Sequence, residues 1–303
     1  MTTPESNRCR TLMHHQSAKV VFNRTLSGGH GLVRLQVGSL ARQVHPGQFL
    51  QLSCDASLTL PRPFSIMNAD HKEGTVDLFY RVVGRGTELM AAWKGEETVF
   101  LLMPLGQPFA LPDKRANVLL IAGGAGLAPV HFLARRLVAR GQSSVLVWGI
   151  ETNSPLKTIP ARLDGFPLDV QFVDSPVALA GLDTVGVSSR LASMDARSGH
   201  FQGYVTDLAD HYLKTLTPAI RSKTVLYACG PIPMLRAVGH LAEHFGLWGQ
   251  VSMEERMACG FGGCAACVAP LRTPDGSWSY RKICTDGPVF PIADIAWDRY
   301  LNH

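Results

Sequence analysis

The chain has 303 residues, about twice the ~150-residue length of a typical domain, so we expect two or three packed units. With 46% hydrophobic and 17% charged residues and a mean hydropathy of +0.08, it is globular rather than disordered, collagen-like or a coiled coil. The net charge of +5 comes from basic residues spread along the chain, which excludes the basic face of a nucleic-acid binder. Residues 1–16 are polar and no run of ~20 residues is uniformly apolar, so we expect a cytoplasmic protein.

The first third of the sequence predicts an antiparallel β-barrel. Glycine and proline turns separate short β-type runs at residues 18–23, 32–37, 48–52, 76–83 and 98–103. Regular short strands of this kind are typical of a small barrel or sandwich. We assign this unit to residues 1–112 and interpret the pair His14 and His15 as part of a frayed, solvated start.

From residue 113 the sequence changes to strands that alternate with helices. We predict strands at 118–122, 144–149 and 224–228, and helices at 127–139, 206–216 and 234–245. This alternation predicts an α/β unit with a parallel sheet and crossover helices, which we assign to residues 113–249. Residues 151–202 show no clear period, so we expect loops there with one strand at 170–173.

The last part of the chain is rich in cysteine and glycine. Four of the seven cysteines follow the spacing C-x4-C-x2-C…C, namely Cys259, Cys264, Cys267 and Cys284. That spacing is the one found in plant-type 2Fe-2S ferredoxins, and nearby glycines let backbone amides turn towards the sulfurs. A structural zinc site is the alternative, although zinc loops usually carry two close cysteine pairs. Residues 250–303 are too few to be held together by apolar burial, so we predict a 2Fe-2S module.

A second motif lies in the predicted barrel. It comprises Arg62, Pro63, Phe64 and Ser65, followed downstream by Tyr80, Arg81, Gly86 and Thr87. A cation and a helix N-terminus can bind the pyrophosphate of a flavin dinucleotide while an aromatic ring covers the flavin. An ordinary barrel strand with a proline-disturbed edge explains the same residues equally well. The motif alone therefore leaves both interpretations open.

Two turns in the α/β unit are candidates for nucleotide binding. The first is the glycine-rich turn around Gly124 and Gly126, which has Pro129 where the dinucleotide fingerprint has its last glycine. The second consists of Cys229, Gly230 and Pro231. Glycines before a helix let a phosphate approach the helix N-terminus, but plain strand-to-helix turns also look like this. By themselves the two turns do not decide between these functions.

Taken in order, these motifs resemble one known family. The chain presents RPFS, GRGT, PLGQPF, GGAGLAP, CGPIPM, SMEERMACGFGGCAAC and CTDGPVF. Over residues 18–295 this succession closely resembles the electron-transfer subunits of NAD-linked, two-subunit dihydroorotate dehydrogenases, a branch of the ferredoxin reductase superfamily. The cysteine-rich tail is the most specific part of the resemblance.

The resemblance implies three sites. It implies that FAD is held by Arg62, Pro63, Phe64, Ser65, Phe79, Tyr80, Arg81, Gly86 and Thr87. It implies that a 2Fe-2S cluster is ligated by Cys259, Cys264, Cys267 and Cys284. It also implies that NAD binds near Gly124, Gly126, Cys229, Gly230 and Pro231.

The same resemblance implies a relay of electrons. Electrons pass between NAD(H), the flavin and the cluster, and then to or from the FMN of a catalytic partner subunit, within a heterotetramer of pyrimidine biosynthesis. The chain has no eightfold strand-helix pattern, so the dihydroorotate chemistry is expected in that partner. We accordingly assign no catalytic residue for it to this chain.

Two further functions fit the sequence. One is an NAD(P)H reductase component that serves a hydrogenase or an oxygenase. The other is a non-catalytic regulatory homologue, suggested by residues 194–199, where a Met-Asp-Ala-Arg-Ser-Gly stretch replaces the Thr-Asp-Asp-Gly-Ser-type stretch common in the family. Extra residues at the start and within 156–193 also permit a changed electron donor or partner.

Overall fold

The computed structural model describes residues 12–163, 166 and 171–300. These residues form a closed barrel, a seven-stranded sheet and two short two-stranded sheets. None of the helices in the described ranges is both long enough and apolar enough to cross a membrane.

The N-terminal part forms the expected antiparallel barrel. Its strands are β1 (His14–Leu26), β2 (His30–Gln36), β3 (Phe49–Leu52), β4 (Arg62–Asp70), β5 (Thr75–Arg81) and β6 (Thr98–Leu105). They are hydrogen-bonded in the closed order β1-β2-β5-β4-β3-β6, and buried aliphatic side chains such as Val33, Leu50 and Ile66 fill the interior. The short helix α1 (Arg85–Ala91) follows β5.

The start of the barrel differs from the sequence prediction. His14 and His15 belong to β1, where they pair with Met103 and Leu102 of β6, and the ring of His15 stacks on Phe100 at 6.0 Å. The expectation of a frayed start at these two histidines is therefore wrong. The polar residues at this end suggested a solvated segment. His15 is indeed exposed on the outer face, but backbone pairing with β6 holds it in the strand.

The α/β part contains helices between strands, as predicted. Its elements are β7 (Asn117–Gly123), α2 (Leu127–Val138), β8 (Val145–Gly149), β9 (Thr158–Pro160), β10 (Val177–Leu179), α3 (Ala180–Asp183), β11 (Ser188–Ser193), β12 (Phe201–Gln202), α4 (Val205–Thr215), α5 (Pro218–Arg221), β13 (Thr224–Cys229), α6 (Ile232–Phe245) and β14 (Trp248–Ser252). Strand β7 is buried on both faces, since Leu119 and Ile121 join one hydrophobic cluster while Val118 and Leu120 join another. Burial on both faces is typical of a parallel strand covered by helices.

The cysteine-rich tail adds the last three strands. They are β15 (Val268–Arg272), β16 (Trp278–Lys282) and β17 (Val289–Pro291). Strands β15 and β16 form a hairpin, whereas β17 joins the large sheet beside β14. The predicted boundaries at residues 112 and 249 stay predictions, and β14 runs across the second of them.

The large sheet has the order β12-β11-β8-β7-β13-β14-β17, and β17 alone is antiparallel to its neighbour. After β7 the chain adds β8, β11 and β12 on one side, and then returns to add β13 and β14 on the other. The direction of strand addition thus reverses between β7 and β13. Open α/β sheets bind ligands outside the carboxyl ends of their strands at such a switch point.

Residues 151–202 contain more structure than the sequence indicated. Strand β11 is a fully buried member of the large sheet, paired with β8, and β9 pairs with β10. The expectation of loops there is wrong. Of the strand expected at 170–173, residue 170 lies outside the described residues, and Phe172 makes only an isolated bridge to Phe201.

Candidate functional site

The four cysteines of the predicted cluster site come together beside the barrel. The thiols of Cys259 and Cys264 lie close enough to shift the pKa of Cys259, and the thiol of Cys267 likewise shifts the pKa of Cys284. Cys284 also lies within electrostatic range of Cys259. The fold therefore joins three cysteines of one loop to the fourth, which follows β16.

Backbone amides of the loop point at these sulfurs. Burial tends to raise the pKa of Cys259, but hydrogen bonds from the amides of Phe261 and Cys264, together with the Cys264 thiol and the Gly263 amide, lower that pKa to about 6. For Cys284, burial and the neighbouring Cys267 raise the pKa to about 12, although the Gly262 amide opposes the rise. The loop thus presents N–H groups where negative sulfur would be stabilised.

The arrangement of the thiols separates the two candidate metals. The thiols interact as two pairs, Cys259 with Cys264 and Cys267 with Cys284. A 2Fe-2S cluster needs two thiolates on each of two irons, whereas tetrahedral zinc needs four ligands around one point. The donor set fits a 2Fe-2S cluster better than zinc.

Three of the predicted flavin residues, Arg62, Gly86 and Thr87, lie together where β4 and α1 begin. Arg62 donates from Nη1 to the Leu60 carbonyl at 2.7 Å. A Cβ atom on Gly86 would lie 3.2 Å from Arg62 Nε, so Gly86 lets the guanidinium pack against the start of α1. The Thr87 hydroxyl accepts from the amides of Val83 and Gly84 and donates to the Gly84 carbonyl. Thr87 therefore builds the turn, and Arg62 supplies a positive charge beside it.

The aromatic residues Phe64 and Tyr80 lie elsewhere, inside the barrel. Phe64 and Tyr80 are buried in the barrel interior, with ring centroids 6.3 Å apart, and the Tyr80 hydroxyl donates to Asn23 at 3.0 Å. The sequence analysis suggested that an aromatic ring covers the flavin. The buried rings of Phe64 and Tyr80 are not placed to do so.

The other residues near the end of β5 face the α/β part. Phe79 stacks on His30 at 5.2 Å and meets the edge of Trp148 at 6.3 Å. Arg81 is exposed and forms an ion pair with Glu151 at 3.3 Å. Phe79 and Arg81 therefore help to join the barrel to the large sheet, whereas Ser65 on β4 is half-buried.

The two predicted nucleotide turns lie side by side at the switch point. A Cβ atom on Gly126 would overlap the carbonyl of Cys229, and one on Gly123 would lie 2.6 Å from Met234 Sδ. Close packing between the turns thus requires glycine at both positions. Gly124 has open space beside it, so a side chain would meet no other atom there. Its φ of +52° is what favours glycine at this position.

One residue of this region was missed by the sequence analysis. Glu254 follows β14, and the Cys229 thiol lies 3.8 Å from its Oε1 atom. Glu254 as a whole keeps exposed surface. The protein atoms around its carboxylate nevertheless desolvate that group, and this raises its pKa. The sequence does show an acidic residue just after a strand. It does not show that this strand, β14, lies beside β13 and so brings Glu254 next to Cys229.

Residues 194–199, which differ from the family pattern, lie just beyond β11 at the same edge of the sheet. Arg197 donates to Asn153 Oδ1 at 2.7 Å and to the Glu151 carbonyl at 3.1 Å, and it forms an ion pair with Asp195 at 2.6 Å. The stretch is therefore anchored by its own arginine.

Comparisons with known proteins agree with this geometry. Residues 254–296 match the family model of the iron-sulfur cluster binding domain of dihydroorotate dehydrogenase B. Among solved structures, the NADH-dependent reduced ferredoxin-NADP oxidoreductase covers 93% of this chain and 90% of its own, with a TM-score of 0.73 and 21% identity. The ferredoxin reductase in carbazole 1,9a-dioxygenase covers 78% of this chain and 68% of its own, with a TM-score of 0.62 and 22% identity. These two structures confirm the fold class that the sequence predicted.

The sequence relatives are closer. The electron transfer subunit of dihydroorotate dehydrogenase B (NAD(+)) from Bacillus cereus strain Q1 is 35% identical over 290 residues, which are 94% of this chain and 99% of that protein. The Bacillus anthracis strain A0248 protein of the same name gives the same identity and coverage. The resemblance seen in the motifs is thereby confirmed over nearly the whole length of both chains. This chain belongs to the family of electron transfer subunits of dihydroorotate dehydrogenase B.

Proposed function

We propose that this chain is the electron-transfer subunit of a two-subunit, NAD-linked dihydroorotate dehydrogenase in pyrimidine biosynthesis. It is an oxidoreductase subunit that uses FAD, a 2Fe-2S cluster and NAD. The observation that carries the proposal is the pairing of four cysteine thiols beside the barrel, on a chain that also places two glycine turns at the switch point of its sheet. Together with the Arg62–Gly86 contact in the flavin motif, these features provide an entry, a converter and an exit for electrons.

The proposal assigns the ligands of the cluster to Cys259, Cys264, Cys267 and Cys284. It assigns the FAD contacts to Arg62, Pro63, Phe64, Ser65, Phe79, Tyr80, Arg81, Gly86 and Thr87. It assigns the nicotinamide nucleotide to Gly124, Gly126, Cys229, Gly230 and Pro231. The packing of Arg62 against Gly86, the paired thiols and the contact between the two turns support these three assignments.

Flavin converts between a two-electron hydride and single electrons, and a 2Fe-2S cluster carries one electron at a time. The chain's own residues bind and orient these groups. Arg62 offers a cation to a pyrophosphate, the loop amides stabilise negative sulfur, and the backbone at Gly124 leaves room at the switch point. Glu254, with its raised pKa and its contact to Cys229, can hold a proton at the edge of that opening.

The proposed partner is the FMN-containing catalytic subunit, in a heterotetramer. Cys264 is exposed, and Phe261 in the same loop keeps 50% of its surface in solvent. An electron carrier at this loop would therefore lie near the protein surface, where a second chain can approach. A cytoplasmic location also belongs to the proposal, and the free cysteines that the structure describes support it because that compartment keeps thiols reduced.

An anaerobic absorption titration of the purified protein with NADH tests the function. We expect the flavin band to bleach and the cluster absorbance to fall in part. A flavin that stays oxidised with both cofactors present would contradict the proposal and favour a non-catalytic homologue. A second measurement, co-purification with an FMN enzyme that oxidises dihydroorotate, separates this function from a reductase component for a hydrogenase or an oxygenase.

A further inference from the structure

A glutamine buried between the barrel and the cluster loop has an unsatisfied side chain. Gln51 on β3 is 1% exposed, and neither its Nε2 nor its Oε1 atom has a hydrogen-bond partner. Within the described ranges it is the one residue with two such buried atoms in its side chain. A buried amide without partners is destabilising because it has given up its hydrogen bonds to water.

The direction of the Gln51 side chain follows from the strand. Its neighbours Leu50 and Leu52 pack in the barrel interior, so Gln51 lies on the outer face together with Phe49. Phe49 packs in the hydrophobic cluster that includes Cys267 and Cys284. The outer face of β3 is therefore the face that meets the cluster loop.

Gln51 touches that loop directly. A Cβ atom on Gly260 would lie 2.5 Å from Gln51 Cγ and 2.6 Å from Gln51 Nε2. Gly260 follows Cys259 and has a φ of +78°, so both its conformation and this contact require glycine. On its other side, Gln51 is paired with Pro63 in the flavin motif of β4. The amide thus lies between the two predicted cofactor sites.

A nearby glutamine shows how a purely structural one behaves. Gln48 is fully buried just before β3, yet it accepts a hydrogen bond from the His45 amide and donates one to the Gly106 carbonyl, both at 2.9 Å. Both polar atoms of its side-chain amide are therefore hydrogen-bonded to the backbone around it. Gln51 has the same chemistry and burial, but no protein partner for it.

We propose that Gln51 is a positioning residue for the iron-sulfur cluster and that its amide donates an N–H hydrogen bond to the sulfur shell next to Cys259. This inference rests on the proposed function, since it needs the cluster. An N–H group directed at sulfur stabilises the reduced cluster, which carries one more negative charge, and so raises the reduction potential. Gln51 itself neither gains nor loses a proton when the cluster accepts its electron.

The test compares Gln51→Met with Gln48→Met in the cofactor-loaded protein. The potential of the cluster is measured by a redox titration followed by electron paramagnetic resonance. At the solution potential where wild type is half reduced, we expect Gln51→Met to raise the ratio of oxidised to reduced cluster about tenfold, a shift of about 59 mV to lower potential. Gln48→Met should lower the thermal midpoint and leave the potential of the cluster unchanged.

Two readouts keep the inference falsifiable. The cofactor-loaded Gln51→Met protein should keep the iron and flavin content of wild type, because methionine is close to glutamine in length and the change removes only the hydrogen-bond donor. Gln51→Leu, which also lacks a donor, should shift the potential in the same direction. An unchanged potential and resonance spectrum in both variants would overturn the inference and leave the proposed function standing. A wild-type protein without a 2Fe-2S signal would instead overturn the proposed function, and this inference with it.

Discussion

The four cysteines of the cluster loop differ in exposure, since Cys264 is exposed whereas Cys267 and Cys284 are buried. The thiol of Cys264 neighbours Cys259 and contributes nothing to the barrel core. We predict that Cys264→Ser removes the long-wavelength absorbance of the cluster and leaves the flavin bound. Absorption spectra of the purified variant measure both groups at once. An unchanged spectrum in Cys264→Ser would remove Cys264 from the ligand set.

Arg62 offers a test of the flavin site. Its guanidinium packs against Gly86 and makes hydrogen bonds only to carbonyl oxygens of its own loop, so it remains available to an anion. We predict that Arg62→Ala weakens FAD binding roughly ten- to hundredfold, because a charge-assisted hydrogen bond contributes about 1.5–3 kcal/mol. Equilibrium dialysis with FAD measures the change. Arg42, in the turn Gly38–Gln43, donates to the His71 carbonyl, so Arg42→Ala removes the same charge outside the flavin motif and should bind FAD as wild type does.

At this scale the sequence predicts which residues come together better than it predicts where their side chains point. Arg62 and Gly86, and likewise the four cysteines, are brought together as their motifs indicated. Phe64 and Tyr80 could not be oriented, because an alternating strand in a closed barrel can place either set of residues inside. Glu254 was missed since its neighbour Cys229 comes from another strand.

Helix α2 packs against β4 and carries a histidine that should make stability depend on pH. Burial lowers the pKa of His131 to about 4, with Arg135 adding to the effect, while the Met67 carbonyl at 3.2 Å from Nδ1 and the charge of Asp77 oppose it. The folded pKa lies below the unfolded value of 6.5. The unfolded state therefore binds the proton first as the pH falls, and stability present above pH 6.5 is lost towards pH 4.

The expected size of this loss is up to about 3 kcal/mol, at about 1.4 kcal/mol for each unit of pKa. His131→Gln can still donate to the Met67 carbonyl but does not titrate in this range. Urea unfolding at several pH values should show that wild type loses more stability than His131→Gln between pH 7 and pH 4. Parallel curves for the two proteins would show that His131 does not cause the dependence.

The two turns at the switch point give a prediction about packing between elements. Gly126 begins the first turn of α2 and lies against the carbonyl of Cys229, so Gly126→Ala must push the ends of β7 and β13 apart. We predict a roughly ten- to hundredfold slower reduction of the flavin by NADH, since small misplacements of reacting groups have effects of this size. Stopped-flow absorbance measures the rate. Gly181→Ala in α3, where a Cβ atom meets nothing, should react as wild type does.

Elements with a clear hydrophobic pattern were predictable, and those without one were not. Helices α4 and α6 and strands β7, β8 and β13 occur where the periodicity indicated. Strand β11 was missed because its sequence, SSRLAS, is mostly polar although every residue of it is buried. Parallel pairing with β8 and β12 holds it in place, and such tertiary pairing overrides the local pattern.

For the whole molecule, the motifs do not reveal how the barrel, the sheet and the cysteine-rich tail pack together. Gln107, just after β6, supplies one such link, because its amide donates to the Gly287 carbonyl at 2.6 Å and its side chain donates to the Thr285 carbonyl at 3.1 Å. Phe49 supplies another, in the cluster that it shares with the cysteines. These contacts join distant parts of the sequence, so local patterns could not indicate them.

The antiparallel strand β17 has a consequence for how the protein is made. Residues 289–291 come from the tail, yet they complete the edge of the large sheet by pairing with β14. During translation that edge is exposed until nearly the whole chain has left the ribosome. An open strand edge is a template for pairing with other chains. A chain truncated before residue 289 would therefore expose the edge of β14 and should aggregate more readily than the full-length chain, which light scattering measures.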